Sequence, residues 1–482
     1  MRFLILALAL GVACGGSDST PPPPGPSKAP ASGTFQSGSR LRAHYWDAGG
    51  GATVLQNWHD GSLGIWCQFN LAEDGAWRCL PDRDSALEMF SPPHFFLDSN
   101  CSEPAVASLS RTNPTWATVR DDACAGDVPT VHVYQVGTQP IAPAMVYTRS
   151  GSTCTGSPPM AGEFLFALTP GDPTVFASAQ VVVENRGGLD IEVLVGDDDT
   201  RQLGRILDHK RGQACQADLV DGRCLPEDVG MESSDDYTTA DCSGPSNGSW
   251  QCAVTSGNCP APTLAFGTTM TGCTVSHDLV AIGSPVTQSY SKDSNGQCMP
   301  IVIGGGCLFS PATGPVDFAT FPAIATASLG TGRVIKQVLA APGENRELAD
   351  LSLYDTQLNV PCGITEFSDN LRRCASGTAA INSFGLVWYS DASCTVPLVA
   401  GSTDACTTTP TYAIRLYQSG NVIYAAVIDK LYAMGTPYSG PVYQIDNSTG
   451  QCVAANPSGP IWTVGAQLDP DTVFVRMTET ND

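Results

Sequence analysis

Trp58-His59-Asp60-Gly61-Ser62-Leu63-Gly64-Ile65-Trp66-Cys67 is the stretch that organises the chain, because it returns twice. Its counterparts are Leu207-Asp208-His209-Lys210-Arg211-Gly212-Gln213-Ala214-Cys215 and Tyr354-Asp355-Thr356-Gln357-Leu358-Asn359-Val360-Pro361-Cys362. In each an aspartate stands seven residues before a cysteine, and the copies are offset by 148 and 147 residues. Further markers follow in the same order. A second cysteine arrives 12, 9 and 12 residues later, at Cys79, Cys224 and Cys374, the first two inside Arg-Cys-Leu-Pro. C-x-x-P then recurs at Cys101/Pro104, Cys242/Pro245 and Cys394/Pro397, with Asp98 and Asp391 three residues before the cysteine in the outer copies. Cys252 to Cys298 and Cys406 to Cys452 are both 46 apart, and the first copy shortens this interval to 30, from Cys124 to Cys154. A fixed order at near-constant spacing marks internal repetition, here three copies of one unit of about 147 residues.

Within a unit the local pattern is strand, turn, strand. In the first copy the runs are 41–46, 53–58, 65–69, 77–80, 94–97, 105–109, 131–136, 145–148, 164–168 and 175–183, rich in β-branched and aromatic residues and bounded by Gly, Pro, Asp and Ser. Helical periodicity is nearly absent, so the units are all-β. Two architectures fit. Each repeat could supply two blades, three repeats closing a six-bladed β-propeller that removes exposed edges by radial repetition. The alternative is three tandem disulfide-stapled β-domains. The expected division is 1–13 signal peptide, 14–36 lipidated cysteine and Pro/Gly/Ser-rich tether, then β repeats at 37–185, 186–330 and 331–482.

The N-terminus sets the expected compartment. Met1-Arg2 is followed by an apolar run from Phe3 to Ala13. That run suits the h-region of an export signal and is too short for a bilayer of about 30 Å. Gly11-Val12-Ala13-Cys14 resembles a bacterial lipobox, which implies lipidation of Cys14; the alternative is a plain secretory signal cut nearby. Of the 19 cysteines, Cys14 set aside leaves an even 18, which suits an oxidised framework in an exported chain. The disulfide candidates are Cys67, Cys79, Cys101, Cys124, Cys215, Cys224, Cys242, Cys252, Cys362, Cys374, Cys394 and Cys406, pairing first to second and third to fourth within each repeat. The fifth cysteines are open: Cys298 could join Cys307 and Cys259 could join Cys273, with Cys154 and Cys452 paired across repeats or free.

The succession G-x-R-L, Asp seven before Cys, R-C-L-P and D-x-x-C-x-x-P resembles uncharacterised cysteine-rich repeat lipoproteins of soil bacteria, over roughly residues 37–482. The resemblance implies export, a lipid anchor and a β-rich body, and it carries over no functional residue; the expected location is the outer membrane of the bacterial envelope.

Candidate chemistry is sparse. Asp60, Asp208 and Asp355 could line a central channel and hold a cation, but an acid repeated in every unit more often caps its own turn. Asp197-Asp198-Asp199 reads as a solvated hairpin turn, as do Ser233-Ser234-Asp235-Asp236 and Asp121-Asp122. Gly244-Pro245-Ser246-Asn247-Gly248 matches G-x-S-x-G without the strand and helix of a nucleophile elbow. His59 beside Asp60 and His209 beside Asp208 point to opposite faces of a strand and cannot readily pair. No C-x-x-C occurs and no two histidines fall within four residues, so local spacing offers neither a metal site nor a cofactor. Tyr45, Trp46, Trp58, Trp66 and Trp77 read chiefly as core, with sugar stacking at an aromatic rim as the alternative.

The net charge of −23 disfavours nucleic acid as a partner. The expected function is a surface-tethered binding or interaction module for a protein or glycan, touching the membrane only through its lipid, in the bacterial cell envelope. Alternatives are an extracellular hydrolase or lyase with a site in the propeller's central pocket, its catalytic residues unknown, and a purely structural envelope component.

Overall fold

The computed structural model describes residues 34–482 apart from short internal stretches, the longest being 253–261 and 401–409. Cys14, the signal segment, most of the tether, Ser246, Cys259, Cys273, Cys406 and the side chains of Cys252 and Cys307 lie outside the described residues.

The chain is nearly all β, and the same succession of strands returns three times. Each repeat opens with an antiparallel meander of four strands. In the first these are Leu41–Asp47, Thr53–Asp60, Ile65–Ala72 and Trp77–Pro81. In the second they are Leu189–Gly196, Arg201–Asp208, Gln213–Asp218 and Arg223–Pro226. In the third they are Val334–Ala340, Glu347–Asp355, Val360–Phe367 and Arg372–Ala375. Period-two burial explains the register: Leu41, Ala43 and Tyr45, like Leu189, Ile191 and Val193, place alternate side chains in the core.

Between repeats lies a strand shared by two sheets. Strand Ser178–Arg186 pairs through Ser178 and Ala179 with Arg78 and Trp77, and from Ala179 to Arg186 with the opening strand of the second repeat. Strand Val475–Asn481 repeats this at the end of the chain, Val475 to Met477 pairing with Cys374 to Arg372 and Thr478 to Asn481 with Asp47 to His44. Ala325–Leu329 joins the third repeat, and Ala323 bridges to Arg223 of the second. The last strand thus returns to the first, so the pairing runs from repeat to repeat and back.

The cores follow the same rotation. One cluster packs Leu41, Trp58 and Cys67 with Ala179 and Leu194, a second packs Leu189, Ile191 and Cys215 with Leu339 and Leu348, and a third packs Val334, Leu353 and Cys362 with Trp46 and Ala52. Each of these three clusters draws on two neighbouring repeats, and independent beads on a string are therefore excluded. Nor do these pairings display six separate propeller blades, because the meanders are hydrogen-bonded edge to edge through the shared strands.

The second half of each repeat forms a different body. In the second repeat Gly230–Ser233, Gly248–Cys252, Cys307–Pro315, Thr274–Ile282 and Leu264–Thr271 close a five-stranded barrel, its seam parallel between Gly230–Ser233 and Leu264–Thr271. Parallel pairings at the same place join Ala86–Phe90 to Trp116–Arg120 and Thr378–Ala380 to Tyr412–Ser419. A small side sheet, Asp236–Tyr237, Ser289–Lys292 and Cys298–Ile301 in the second repeat, flanks the barrel.

Disulfides staple both bodies. Cys67–Cys79, Cys215–Cys224 and Cys362–Cys374 cross the meanders, first cysteine to second. The expected bond from third to fourth is overturned. Cys101–Cys154, Cys242–Cys298 and Cys394–Cys452 join third to fifth, so Cys298 does not pair with Cys307, and Cys154 and Cys452 are neither free nor paired across repeats. Strand pairing supplies the reason, because the fifth cysteine sits in the side sheet beside the turn that carries the third. Cys124 is also disulfide-bonded.

Candidate functional site

The recurring acids come first, and geometry assigns them to the scaffold. Asp60, Asp208 and Asp355 are buried at the ends of equivalent strands. One carboxylate oxygen of each accepts two backbone N–H groups of its own turn, from Ser62 and Leu63, Lys210 and Arg211, and Gln357 and Leu358. The charge is met by an arginine. Arg40 donates to Asp60 at 2.7 Å and to the Val175 carbonyl at 2.8 Å, and Arg333 donates to Asp355 at 3.0 Å and to the Val473 carbonyl. Gly188 stands where the second repeat would place that arginine, and Arg211 substitutes from inside the turn, reaching Asp208 at 2.6 Å and the Thr320 carbonyl at 3.0 Å. Each arginine thereby ties a meander to the capped turn leading into the shared strand, and no carboxylate is left to line a channel.

The other acids are likewise occupied. Asp198 accepts the N–H groups of Arg40 and Leu41 at 2.8 and 2.7 Å, pinning the start of the first repeat to a turn of the second, which is more than a solvated hairpin does. Cys101, Cys242 and Cys394 all adopt positive φ, near 50°, a conformation that a side chain disfavours. Asp98 and Asp391 steady that turn by accepting the N–H groups of Glu103 and Val396. The Glu103 N–H and the Ser102 hydroxyl hold the Asp98 carboxyl down at about 2, and the Ser243 hydroxyl does the same for Asp241. Tyr45, Trp46 and Trp58 are buried, and Trp58 donates its indole N–H to Gln202 at 2.7 Å, so these rings serve the core rather than a sugar-stacking rim. His209 bonds Asp190 rather than Asp208, and His59 packs edge-on against Trp66.

What remains is a junction between meander and barrel that differs among the repeats. In the first repeat His132 sits between two acids, Nδ1 2.7 Å from Glu73 and Nε2 3.0 Å from Asp121. Burial pushes that imidazole down, and the two carboxylates outweigh it and raise it overall. In the third repeat Asp429 follows Ile428, whose neighbour across the parallel seam is Phe367, and it is matched by Arg415. In the second repeat His277, 145 residues after His132, lies with Nδ1 2.8 Å from Oδ1 of Asp218. Asp221 completes the group, and one ligand atom from each of the three residues lies within 4.8 Å of the others. The Asp218 side chain is only 4% exposed, and its Oδ2 has no hydrogen-bond partner. Burial, the neighbouring Asp218 charge and a hydrogen bond to the Asp218 carboxylate push the Asp221 carboxyl up. His277 also lines a cleft of about 680 Å³ walled by Leu279, Thr313, Pro315 and Phe318.

These residues escape a reading by local spacing because 56 positions separate Asp221 from His277. The usable signal is the repeat register itself: His132 and His277 stand 145 apart, as do Cys79 and Cys224.

The class defined by fold and site is an all-β, disulfide-stapled repeat protein whose three units close on one another. The chain belongs to the family described as a family of unknown function, DUF7481, whose model matches residues 27–472. No curated protein and no solved structure matches it. The disulfides fit an extracellular or envelope location, and among the described residues no helix is long and apolar enough to cross a membrane.

Proposed function

We propose that the protein is a surface-tethered interaction module, a rigid three-repeat scaffold that presents recognition loops and is held to the bacterial envelope by lipid on Cys14. The observation that carries this reading is the turn at 218–222 of the second repeat. Leu219 and Val220 are 54% and 51% exposed there, set between two acids and beside a cleft, on a body whose repeated polar residues are spent on capping and closure. Loops on a rigid scaffold are the usual place for recognition, and adjoining exposed apolar side chains favour a protein ligand over a glycan. The tether follows from Gly11-Val12-Ala13-Cys14 and the proline-rich segment behind it.

One experiment addresses both parts. A photo-cross-linking amino acid replaces Leu219 in the full chain, in producing cells, with and without Cys14→Ala. The expected result is membrane association that is lost on Cys14→Ala, and an adduct of discrete mass on illumination that is absent when the photo-reactive group is placed at exposed Val396 instead. Unchanged membrane association would sink the tether, and no adduct at 219 would sink the recognition surface.

A further inference from the structure

We infer that the second repeat binds one divalent transition-metal ion, of the zinc class, through Asp218, Asp221 and His277. The inference stands apart from the binding-module reading, because it rests on the donors themselves.

Three repeats place three different side-chain sets at one junction, and only one set is incomplete. In the first, both ring nitrogens of His132 already face a carboxylate. In the third, Asp429 is neutralised by Arg415, whose Nε and Nη2 both donate to its Oδ2. In the second, two aspartates and one imidazole come together: Oδ1 of Asp218, a residue 94% buried, faces His277 and accepts the Val220 N–H, the Asp218 carboxylate has a side-chain contact with the Asp221 carboxyl, and its Oδ2 accepts no hydrogen bond from a nitrogen or hydroxyl donor. A buried, unpartnered carboxylate oxygen is costly and calls for a positive charge. Arg223 does not supply it by hydrogen bonding, since its guanidinium donates to the Phe321 carbonyl at 3.1 Å.

The donor set fits a zinc-class ion. One imidazole nitrogen with two carboxylates is a three-ligand set that leaves an open position, and the nitrogen donor disfavours calcium and magnesium. Two aspartates with a neutral histidine also balance a 2+ charge. Metal–ligand bonds of about 2.0–2.2 Å put neighbouring ligands roughly 3.3 Å apart in a tetrahedral site, so donors within 4.8 Å need only a small closure. Exposed Asp221 is the side chain able to make that move, while Phe266 stacks edge-on against the His277 ring at 4.5 Å and holds it. The shortened turn of the second repeat, whose cysteines stand 9 positions apart where the others stand 12 apart, carries both aspartates.

The test is titration of zinc chloride into the intact, oxidised protein after any free thiols have been alkylated, read by calorimetry and by the shift in thermal unfolding. The wild type should take up one ion per chain and unfold at a higher temperature. His277→Gln and Asp218→Asn should weaken binding by more than about 100-fold, since loss of even a supporting partner costs about 10–100-fold. Asp221→Asn alters an exposed side chain, so it should weaken binding while leaving the circular dichroism of the unloaded protein unchanged. His132→Gln should leave the stoichiometry at one. Absence of zinc uptake by the wild type, or uptake that survives both Asp221→Asn and His277→Gln, would overturn the assignment, even if Asp218→Asn fails to fold.

Discussion

The double change Cys242→Ser, Cys298→Ser is expected to lower the stability of the second repeat by about 4 kcal/mol, against about 3 kcal/mol for Cys215→Ser, Cys224→Ser. The difference comes from the chain each bond closes, because the two bonds span 56 and 9 residues and the entropy removed from the unfolded ensemble grows with the logarithm of the loop. Cys242 holds φ near 50°, and without the bond nothing covalent retains that conformation, so the turn from Thr239 to Ser243 should relax and return a small part of the loss as released strain. Urea midpoints of the two variants under identical conditions check the ordering; a larger loss from the short loop would show that strain or local packing outweighs loop entropy here.

The other large effect lies in the third repeat, where Lys336 replaces the small apolar Ala43 of the first. Its ammonium is 1% exposed and meets Glu347, equally buried, and Asp350, both at 2.5 Å. Burial, followed by hydrogen bonding to Asp350, pushes the Glu347 carboxyl up to about 8. The folded protein therefore keeps a proton that the unfolded chain releases near the ordinary value of 4.5. Stability from this group is fully present below that value and is lost as pH rises towards 8. In Glu347→Gln that decline should vanish, so the stability of the wild type relative to the variant should fall by a few kcal/mol across the window. Lys336→Met should destabilise by about 3–5 kcal/mol near neutral pH, and because Lys336 is the group that draws the Glu347 carboxyl down, the variant should keep Glu347 protonated through pH 8. A flat pH dependence of the difference between wild type and Glu347→Gln would contradict the protonated assignment.

Much of the fold was legible because its markers are covalent or conformational necessities. The aspartate before each first cysteine is a turn cap, and its recurrence exposed the repeat before any strand was drawn. Runs rich in β-branched and aromatic residues between turn signals, at 41–46, 53–58, 65–69 and 77–80, marked the four strands of the first meander. The strand Ala86–Phe90 was missed for a physical reason: Ala-Leu-Glu-Met-Phe carries good helix formers, and its extended form is imposed by parallel pairing with Trp116–Arg120. Trp116–Arg120 and Thr153–Ser157 were missed as well, lying in short stretches between turn signals. The strand opening at Val175 begins instead at Ser178, because Asp172 caps a 3-10 turn over Pro173–Val175.

Val475–Asn481 lies beside Leu41–Asp47 and joins the two ends of the described chain in one sheet. The manner of closure was not legible. Whether a terminal strand completes a separate blade or bridges two meanders depends on pairing between residues more than 400 positions apart, on which local pattern is silent. Disulfide connectivity failed similarly, since proximity in sequence favoured third to fourth and the side sheet brings third to fifth. The metal-capable group was hidden by the same long range. Its histidine belongs to a barrel strand and its acids to a meander turn, and only the repeat register links them.

Closure of the three repeats by the last strand is the claim on which scaffold, shared cores and loop display all rest. Hydrogen exchange of the intact, oxidised protein tests it directly. The amides of Val475–Asn481 should exchange as slowly as those of Ser178–Arg186, the equivalent shared strand between the first and second repeats. Exchange of the terminal strand within seconds, while Ser178–Arg186 and Leu41–Asp47 stay protected, would contradict it.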